Sequence, residues 1–134
     1  MPNRIVQSLH LEYIQALLTD FGRQTPGVQA AIAMTADGFE VASYQAGKSV
    51  TAKLAAMGSS IQALASALSS EAGLVGLRST LIEADTGIAL IVAVPGARVP
   101  LTLAFVANRS AIVGHLLWSA RNLVAEIESR KETA

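Results

Sequence analysis

The residues whose types and spacing come closest to a known chemistry are Gly47, Lys48 and Ser49. They match the end of the phosphate-binding loop Gly-x-x-x-x-Gly-Lys-Ser/Thr, in which a glycine-rich backbone surrounds the phosphates. The first glycine of that pattern would fall at position 42, which is Ala42, inside a predicted strand. No acidic strand end follows in the parallel-sheet context that Mg²⁺ binding needs. We therefore interpret Ser49 as a helix cap and predict no nucleotide or other cofactor.

Catalytic and metal-binding side chains are otherwise sparse. The chain has no cysteine. Neither of its histidines, His10 and His115, is followed three or four residues later by a His, Asp or Glu that could complete a metal site. Glu83 and Asp85 flank a predicted turn, where an acidic pair is usually solvated, and no Gly-x-Ser-x-Gly nucleophile motif is present. The sequence therefore predicts no metal site, no catalytic residue and no enzyme activity of its own.

Four arginines could act on the chemistry of another protein. An arginine that enters a partner's active site can stabilise the charge on a phosphoryl group during its transfer. Arg78, Arg98, Arg109 and Arg121 are candidates for this role. Nothing in the sequence selects one of them, and exposed arginines more often only increase solubility. No catalytic arginine is therefore assigned.

Trp118 is the only tryptophan, and it lies within the last predicted helix. It falls about 100° around that helix from Leu117. Two alternatives are open. The indole could complete the core beside Leu9 and Tyr13, or it could stand exposed as an anchor for a partner, since tryptophan is enriched at interface hot spots. We favour packing, because tryptophan is highly buried on average.

The composition indicates a small domain that covers part of its surface by association. Its 134 residues are enough for one domain with one core. Hydrophobic residues make up 51% of the chain and charged residues only 15%, against about 25% charged residues in typical domains. The formal net charge is zero and no basic block is present, so we predict no nucleic-acid partner.

The sequence also carries no signal for a membrane or a secretory pathway. The start, MPNRIVQSLH, lacks the apolar region and small-residue cleavage site of a signal peptide. The longest apolar run, residues 88–94, is far too short to cross a bilayer. The absence of cysteine removes a disulfide framework. We therefore expect a soluble, cytoplasmic protein without direct membrane insertion.

The segment around which the rest of the chain is organised runs from Lys48 to Gly73, and we predict that it is one long helix. Large apolar residues recur every three or four positions and define one face: Val50, Leu54, Met57, Ile61, Leu64 and Leu68. Small residues define the opposite face: Ala52, Ala56, Ser59, Ala63, Ser66 and Ser70. One interpretation is a surface helix rich in good helix formers.

We favour a helix that is buried on both sides, because a surface helix normally carries more charge on its outer face. In this interpretation the large residues pack on the helix's own sheet. The small residues then form a dimer interface, where two backbones can approach closely.

The remaining elements are marked by periodicity and turn residues. A first helix is predicted over about 8–22 with Gly22 at its end, and residues 1–7 either extend it or form a loose arm. Strands are predicted over 28–35, 39–45, 76–84, 88–94 and 99–107, with hairpin turns at Asp37-Gly38 and at 85–87. Asn108 is predicted to cap a last helix that runs to about Glu128. The whole chain, 1–134, forms one domain with its core over about 8–128 and a polar tail at 129–134.

The predicted order is helix, strand, strand, helix, strand, strand, strand, helix. The most economical architecture for it is α+β, a five-stranded antiparallel sheet with helices packed on it. Residues 88–94 show almost no polar alternation, which indicates a central strand covered on both faces.

This order of elements, with its punctuating residues, resembles the Roadblock/LC7 family from about Leu9 to Ile127. The matching features are Pro26-Gly27-Val28 before an Ala-rich strand, 35–38 (Thr-Ala-Asp-Gly) before the second strand, and the Ala/Ser helix from about Val50. The Leu-Ile-Glu strand at 81–83, followed by a turn at Gly87, completes the pattern. Each motif is weak alone, whereas their order and spacing are fairly specific.

The resemblance implies a profilin-like architecture and a role that is not small-molecule chemistry. Members of the family form homodimers or heterodimers in which the sheets join and the long central helices pack together. They bind and regulate Ras-like small GTPases, as the gliding-motility GTPase-activating proteins of prokaryotes do. Others serve as adapters for dynein or signalling complexes. The resemblance therefore implies a non-catalytic dimeric regulator of a small GTPase. The alternatives are a scaffold without a GTPase partner and, ranked lower, a sensor of a small ligand.

Overall fold

The computed structural model describes residues 4–45, 51–97 and 99–130. Eight elements follow one another along the chain: α1 (Arg4–Gln24), β1 (Val28–Thr35), β2 (Glu40–Gln45), α2 (Thr51–Glu71), β3 (Ser79–Ala84), β4 (Gly87–Val94), β5 (Leu101–Asn108) and α3 (Val113–Ser129). The predicted α+β order is confirmed. The predictions for Gly47-Lys48-Ser49, for Val50 and for Arg98 concern positions outside the described residues.

All five strands form one antiparallel sheet with the order β2-β1-β5-β4-β3. The β1–β2 hairpin turns through Gly38, whose φ of 91° suits glycine better than any residue with a Cβ. β5 returns to the middle of the sheet and pairs with both β1 and β4. The apolar strands β1, β5 and β4 therefore occupy the centre, and the less apolar β2 and β3 are left at the edges.

The two faces of the sheet carry two separate hydrophobic cores, because side chains alternate along each strand. The larger core lies under α1 and α3 and includes Ala31, Phe105 and Leu90. Phe21 of α1 packs on Phe105 with 4.6 Å between ring centroids. The smaller core lies under α2 and consists of the buried residues Ile32, Met34, Ala55, Ile91 and Ala104. One face of the sheet therefore carries two helices, and the other carries one.

The ends of α1 differ from the prediction. The helix begins at Arg4, so most of the ambiguous amino-terminal residues extend it. Gly22 does not end it, since the helix continues to Gln24. A Cβ at position 22 would instead overlap the ring of Tyr44 on β2. The glycine is therefore explained by the close approach of α1 to the sheet.

The cap of α3 was also predicted wrongly. Asn108 is the last residue of β5, and its side-chain Oδ1 accepts hydrogen bonds from the backbone N–H and the hydroxyl of Ser110. The helix begins only at Val113, after Ile112 at the N-cap, which makes no side-chain capping bond. The Asn side chain is used by a local turn, for which Asn is equally well suited.

Candidate functional site

The central helix α2 touches its own sheet along a narrow strip of small residues. Within α2, which is described over its whole length, only Ala55 and Gly58 are buried. Leu54 and Ile61 flank this strip and are partly buried against the smaller core. A Cβ added at Gly58 would lie 3.2 Å from the sulfur of Met34, so the helix backbone lies very close to the strand below it.

The prediction that the large residues of α2 pack on its own sheet is wrong for three of them. Leu64 and Leu68 are each 72% exposed, and Met57 is 55% exposed. A residue advances about 100° around an α-helix, so these three side chains are centred about 130° around the helix from the Ala55/Gly58 strip. The strip of small residues faces the sheet because it permits the closer approach, and the long side chains point away from the sheet. We call Met57, Leu64 and Leu68 the exposed apolar row.

The small residues predicted as the dimer interface lie on the other flank of α2. Five of them are exposed to solvent: Ala52, Ala56, Ala63, Ser66 and Ser70. Ser59 differs, because it is half-buried beside the β1–β2 turn, where its hydroxyl lies close to Gly38. That hydroxyl donates a hydrogen bond to the carbonyl of Ala56 at 2.9 Å. The structure leaves five positions available to a partner, and their role stays a prediction.

Further exposed apolar residues lie beyond the helix. Leu74 and Val75 follow the carboxyl end of α2 and are both exposed. In the edge strand β3, Ile82 pairs with Ala89 and lies on the α2 side of the sheet, where it is also exposed. Exposed apolar side chains in this number on a small domain mark a candidate interaction site. The free edge of β3 adds unpaired backbone groups to that surface.

The predicted packing of Trp118 is wrong, because its side chain is 64% exposed. The buried residues of α3 are Leu116, Ala120, Leu123 and Ile127, which lie on one face of the helix. Trp118 lies two residues after Leu116, which is about 200° around the helix, so its side chain points away from the core. It stacks on His115, with 6.3 Å between ring centroids, and His115 is itself exposed as expected.

The other candidate residues are not brought together into a catalytic arrangement. Glu83 and Asp85 are both exposed, in agreement with their interpretation as a solvated pair. Arg109 donates a long hydrogen bond of 3.5 Å to the carbonyl of Ala84. Arg78, immediately before β3, and Arg121, on α3, line one cavity. In the part of the chain that the structure describes, no group of His, Asp and Glu could hold a metal ion.

One titratable group is perturbed at the contact between α1 and α3. Burial and the hydrogen bond from the Tyr13 hydroxyl to Glu126, 3.1 Å long, both raise the pKa of Tyr13, and the Glu126 charge adds to this effect. Arg130, whose guanidinium lies 4.1 Å from the ring centroid of Tyr13, opposes the shift. This cluster joins two helices, and Tyr13 stays protonated at neutral pH.

Comparison with known proteins identifies the fold. The model of the Roadblock/LC7 domain family matches residues 14–97. No curated protein sequence matches the chain. Among the described residues, no helix is long and apolar enough to cross a membrane.

Three solved structures illustrate the similarity. The Roadblock/LC7 domain from Streptomyces avermitilis is 19% identical, covers 86% of this chain and 94% of its own, and has a TM-score of 0.77. The gliding protein MglB from Thermus thermophilus is 17% identical over 93% of both chains, with a TM-score of 0.80. MglB from Myxococcus xanthus is 13% identical over 99% of this chain and 94% of its own, with a TM-score of 0.84. At these identities the likeness shows the fold alone.

Proposed function

Since the chain belongs to the Roadblock/LC7 family, we propose that it is a dimeric regulator or adapter that binds a Ras-like small GTPase in the cytoplasm. Members of this family are regulators or adapters rather than enzymes with an active site of their own. The observation that carries the proposal is the outward surface of α2, which leaves large apolar side chains exposed on a helix that its own sheet barely buries.

We expect dimerisation through α2, because exposing that apolar surface to water is unfavourable in free energy. Fully burying a side chain such as Leu or Met is worth about 1.5–3 kcal/mol, and the exposed apolar row offers three of them. The five exposed small residues on the other flank would let a second helix approach closely. A second copy of the chain presents the same surface, so a two-fold axis beside α2 would cover both copies at once.

The edge strand β3 supports the same arrangement. Exposed edge strands are usually protected by charged side chains, proline or a covering element. In β3 the only charged residue is Glu83, while Leu81 and Ile82 are both exposed. Pairing of β3 with a second copy would satisfy its free backbone groups and extend the sheet. One of the similar structures is described as MglB with a tetrameric arrangement, so higher assembly occurs in that protein.

Binding of a GTPase, rather than catalysis by this chain, is consistent with the described side chains. Arg78, Arg109 and Arg121 are exposed and accessible to a partner, and their exposure does not distinguish one of them from the others. We therefore propose that any activation works through the dimer, which would hold the GTPase's own residues in place. A role as a passive adapter is the alternative that the experiments below separate.

Sedimentation of variants tests the interface first. Leu64→Glu combined with Leu68→Glu places two charges in the exposed apolar row, and we expect this variant to be monomeric at micromolar concentration. Ala63→Glu tests the small-residue flank in the same way. Ile112→Glu is the matched control, because Ile112 is equally exposed but lies on the opposite side of the sheet. A Leu64/Leu68 variant that stays dimeric, while the control does also, would contradict this interface.

Capture from a lysate tests the partner. Tagged wild-type protein is incubated with lysate in GTPγS or in GDP, with the Leu64→Glu, Leu68→Glu variant in parallel. A Ras-like GTPase enriched in one nucleotide state would support a regulator, and a turnover assay would then test activation. Equal capture in both states would support the adapter. The absence of any GTPase, with the wild-type protein shown to be folded and dimeric, would refute the proposed partner class.

A further inference from the structure

A cavity of about 320 Å³ opens on the α3 side of the sheet, next to the edge strand β3. It exists because α3 packs mainly on β4 and leaves the edge strand β3 largely without a helix above it. Ser79 pairs with Val92, a residue of the larger core, so both lie on the α3 side of the sheet. The volume lies at the lower end of the range for small-molecule sites, about 300–1,000 Å³.

The walls of this cavity differ in chemistry. Val92, Pro95 and Val124 form an apolar part. Arg78, immediately before β3, and Arg121, on α3, line the polar part together with the hydroxyl-bearing Ser79. We refer to it as the Arg78/Arg121 cavity. Its mixed lining suits a ligand that has a charged group and a short apolar body.

The charges of the cavity are not balanced internally. Within the described ranges, neither the Arg78 nor the Arg121 side chain forms a hydrogen bond or an ion pair. Among the described residues of the lining, Glu128 is the only acidic one, and its Oε2 accepts a hydrogen bond of 2.6 Å from the backbone N–H of Gly96. That bond ties the carboxylate to the turn after β4. Two arginines without an internal partner in these ranges thus line one cavity, and their guanidinium groups carry ten donor N–H groups in all.

We infer that the Arg78/Arg121 cavity binds a small organic oxyanion, a phosphate or carboxylate group carried on a short apolar body. The planar guanidinium presents paired donors that match the oxygens of either group, with a geometry that a lysine cannot provide. Ser79 supplies a further donor, and the apolar wall accommodates the body of the ligand. Loss of one charged hydrogen-bonding partner should weaken the affinity about tenfold.

This inference does not rest on the proposed function. The cavity lies on the α3 side of the sheet, whereas the exposed apolar row lies on the α2 side. A dimer formed through α2 alone would leave the site accessible, whereas the proposed pairing of β3 would bring a second copy next to it. Failure of ligand binding and failure of GTPase binding are separate results that different assays report.

The test is a titration of the isotope-labelled full-length chain, followed by amide NMR shifts at low ionic strength. Inorganic phosphate and butyrate are the two probes, so that the arms distinguish a phosphate from a carboxylate with an apolar body. We expect saturable shifts centred on Ser79, Ala93 and Val124, with a Kd on the order of 1 mM for at least one probe. Arg78→Gln and Arg121→Gln should each weaken binding about tenfold.

Arg23→Gln is the matched control, because Arg23 is an exposed arginine at the end of α1 that does not line the cavity. Arg78→Lys keeps the charge but loses the paired donors, and an intermediate affinity is expected. Binding that falls equally in the Arg23 control would overturn the inference, since it would reflect net charge alone. Failure of both probes to produce saturable shifts in the folded wild-type protein would also overturn it.

Discussion

Helices α2 and α3 cross opposite faces of the same sheet, and they are held to it in different ways. α3 buries Leu116, Ala120, Leu123 and Ile127, a complete apolar face that reaches into the larger core. α2 is four residues longer (21 against 17) yet buries only Ala55 and Gly58. α3 is therefore stabilised by its own sheet, whereas α2 leaves much of its apolar surface exposed.

The same contrast explains why bulky residues are found outside on one helix and inside on the other. On α3, long side chains fill the space between helix and sheet. On α2, the small residues of the Ala55/Gly58 strip bring the backbone down to Met34, and no room remains for a leucine beneath it. Leu64 and Leu68 therefore point away from the sheet, where a second copy of the helix could cover them.

The largest change in stability is expected when a buried leucine, rather than an exposed one, is replaced. Leu116→Ala should lower the free energy of unfolding by about 2–5 kcal/mol, because it removes buried methyl groups and leaves a cavity in the larger core. The loss should be the same at low and high protein concentration in urea unfolding.

Leu64→Ala is the matched comparison and should behave differently. Its side chain contributes little within one chain, so any loss should depend on protein concentration and vanish where the protein is monomeric. A concentration-independent loss of the size expected for Leu116→Ala would contradict the proposed role of α2.

A smaller effect on stability is expected from substituting two glycines, one on each side of the sheet. Gly22→Ala should destabilise the chain by roughly 1–3 kcal/mol, since the new Cβ overlaps the Tyr44 ring on β2. Gly58→Ala places its Cβ 3.2 Å from the sulfur and 3.3 Å from the terminal carbon of Met34, a flexible end that can shift. The gain in helix propensity, about 1 kcal/mol, should then leave this variant neutral or slightly more stable. Thermal unfolding of both variants measures which of them is less stable. Equal destabilisation would show that α2 is held as rigidly as α1.

The smallest expected effect concerns the α1–α3 contact at high pH. The pKa of Tyr13 is raised in the folded state, so its contribution to stability is present below the unfolded value of about 10 and is lost as pH rises through the folded value. Tyr13→Phe should therefore lower stability slightly at neutral pH and flatten the decline of stability above pH of about 10. Urea unfolding at several alkaline pH values measures this, and an unchanged slope in the variant would mean that Tyr13 does not contribute.

Much of the architecture could be predicted from local signals. The mostly apolar run 28–35, the Asp37-Gly38 turn and the nearly all-apolar residues 88–94 identify strands because backbone geometry and turn chemistry act over a few residues. The long central helix and its position in the order were also predictable. These features together carried the likeness to Roadblock/LC7, which the family model then confirmed.

The candidate site could be predicted only in part. The unusual character of α2 was visible as a run of Ala and Ser with little charge, and three large apolar side chains, Met57, Leu64 and Leu68, are indeed exposed on it. The orientation of the helix was not visible, because a periodic sequence shows which residues share a face but not which face meets the sheet. The signal that could have indicated it is the pair Ala55 and Gly58, placed between Leu54 and Ile61 where a close approach would need small side chains.

The sequence by itself determined the elements, their order and the lack of a local catalytic motif, since each of these depends on neighbouring residues. Only the tertiary structure decided that Leu64 and Leu68 face solvent, that Trp118 stands outside the core, and that Arg78 and Arg121 line one cavity. Each of these outcomes depends on the distance between α2 or α3 and the sheet. That distance is set by side chains that are far apart in the chain and meet only when it folds.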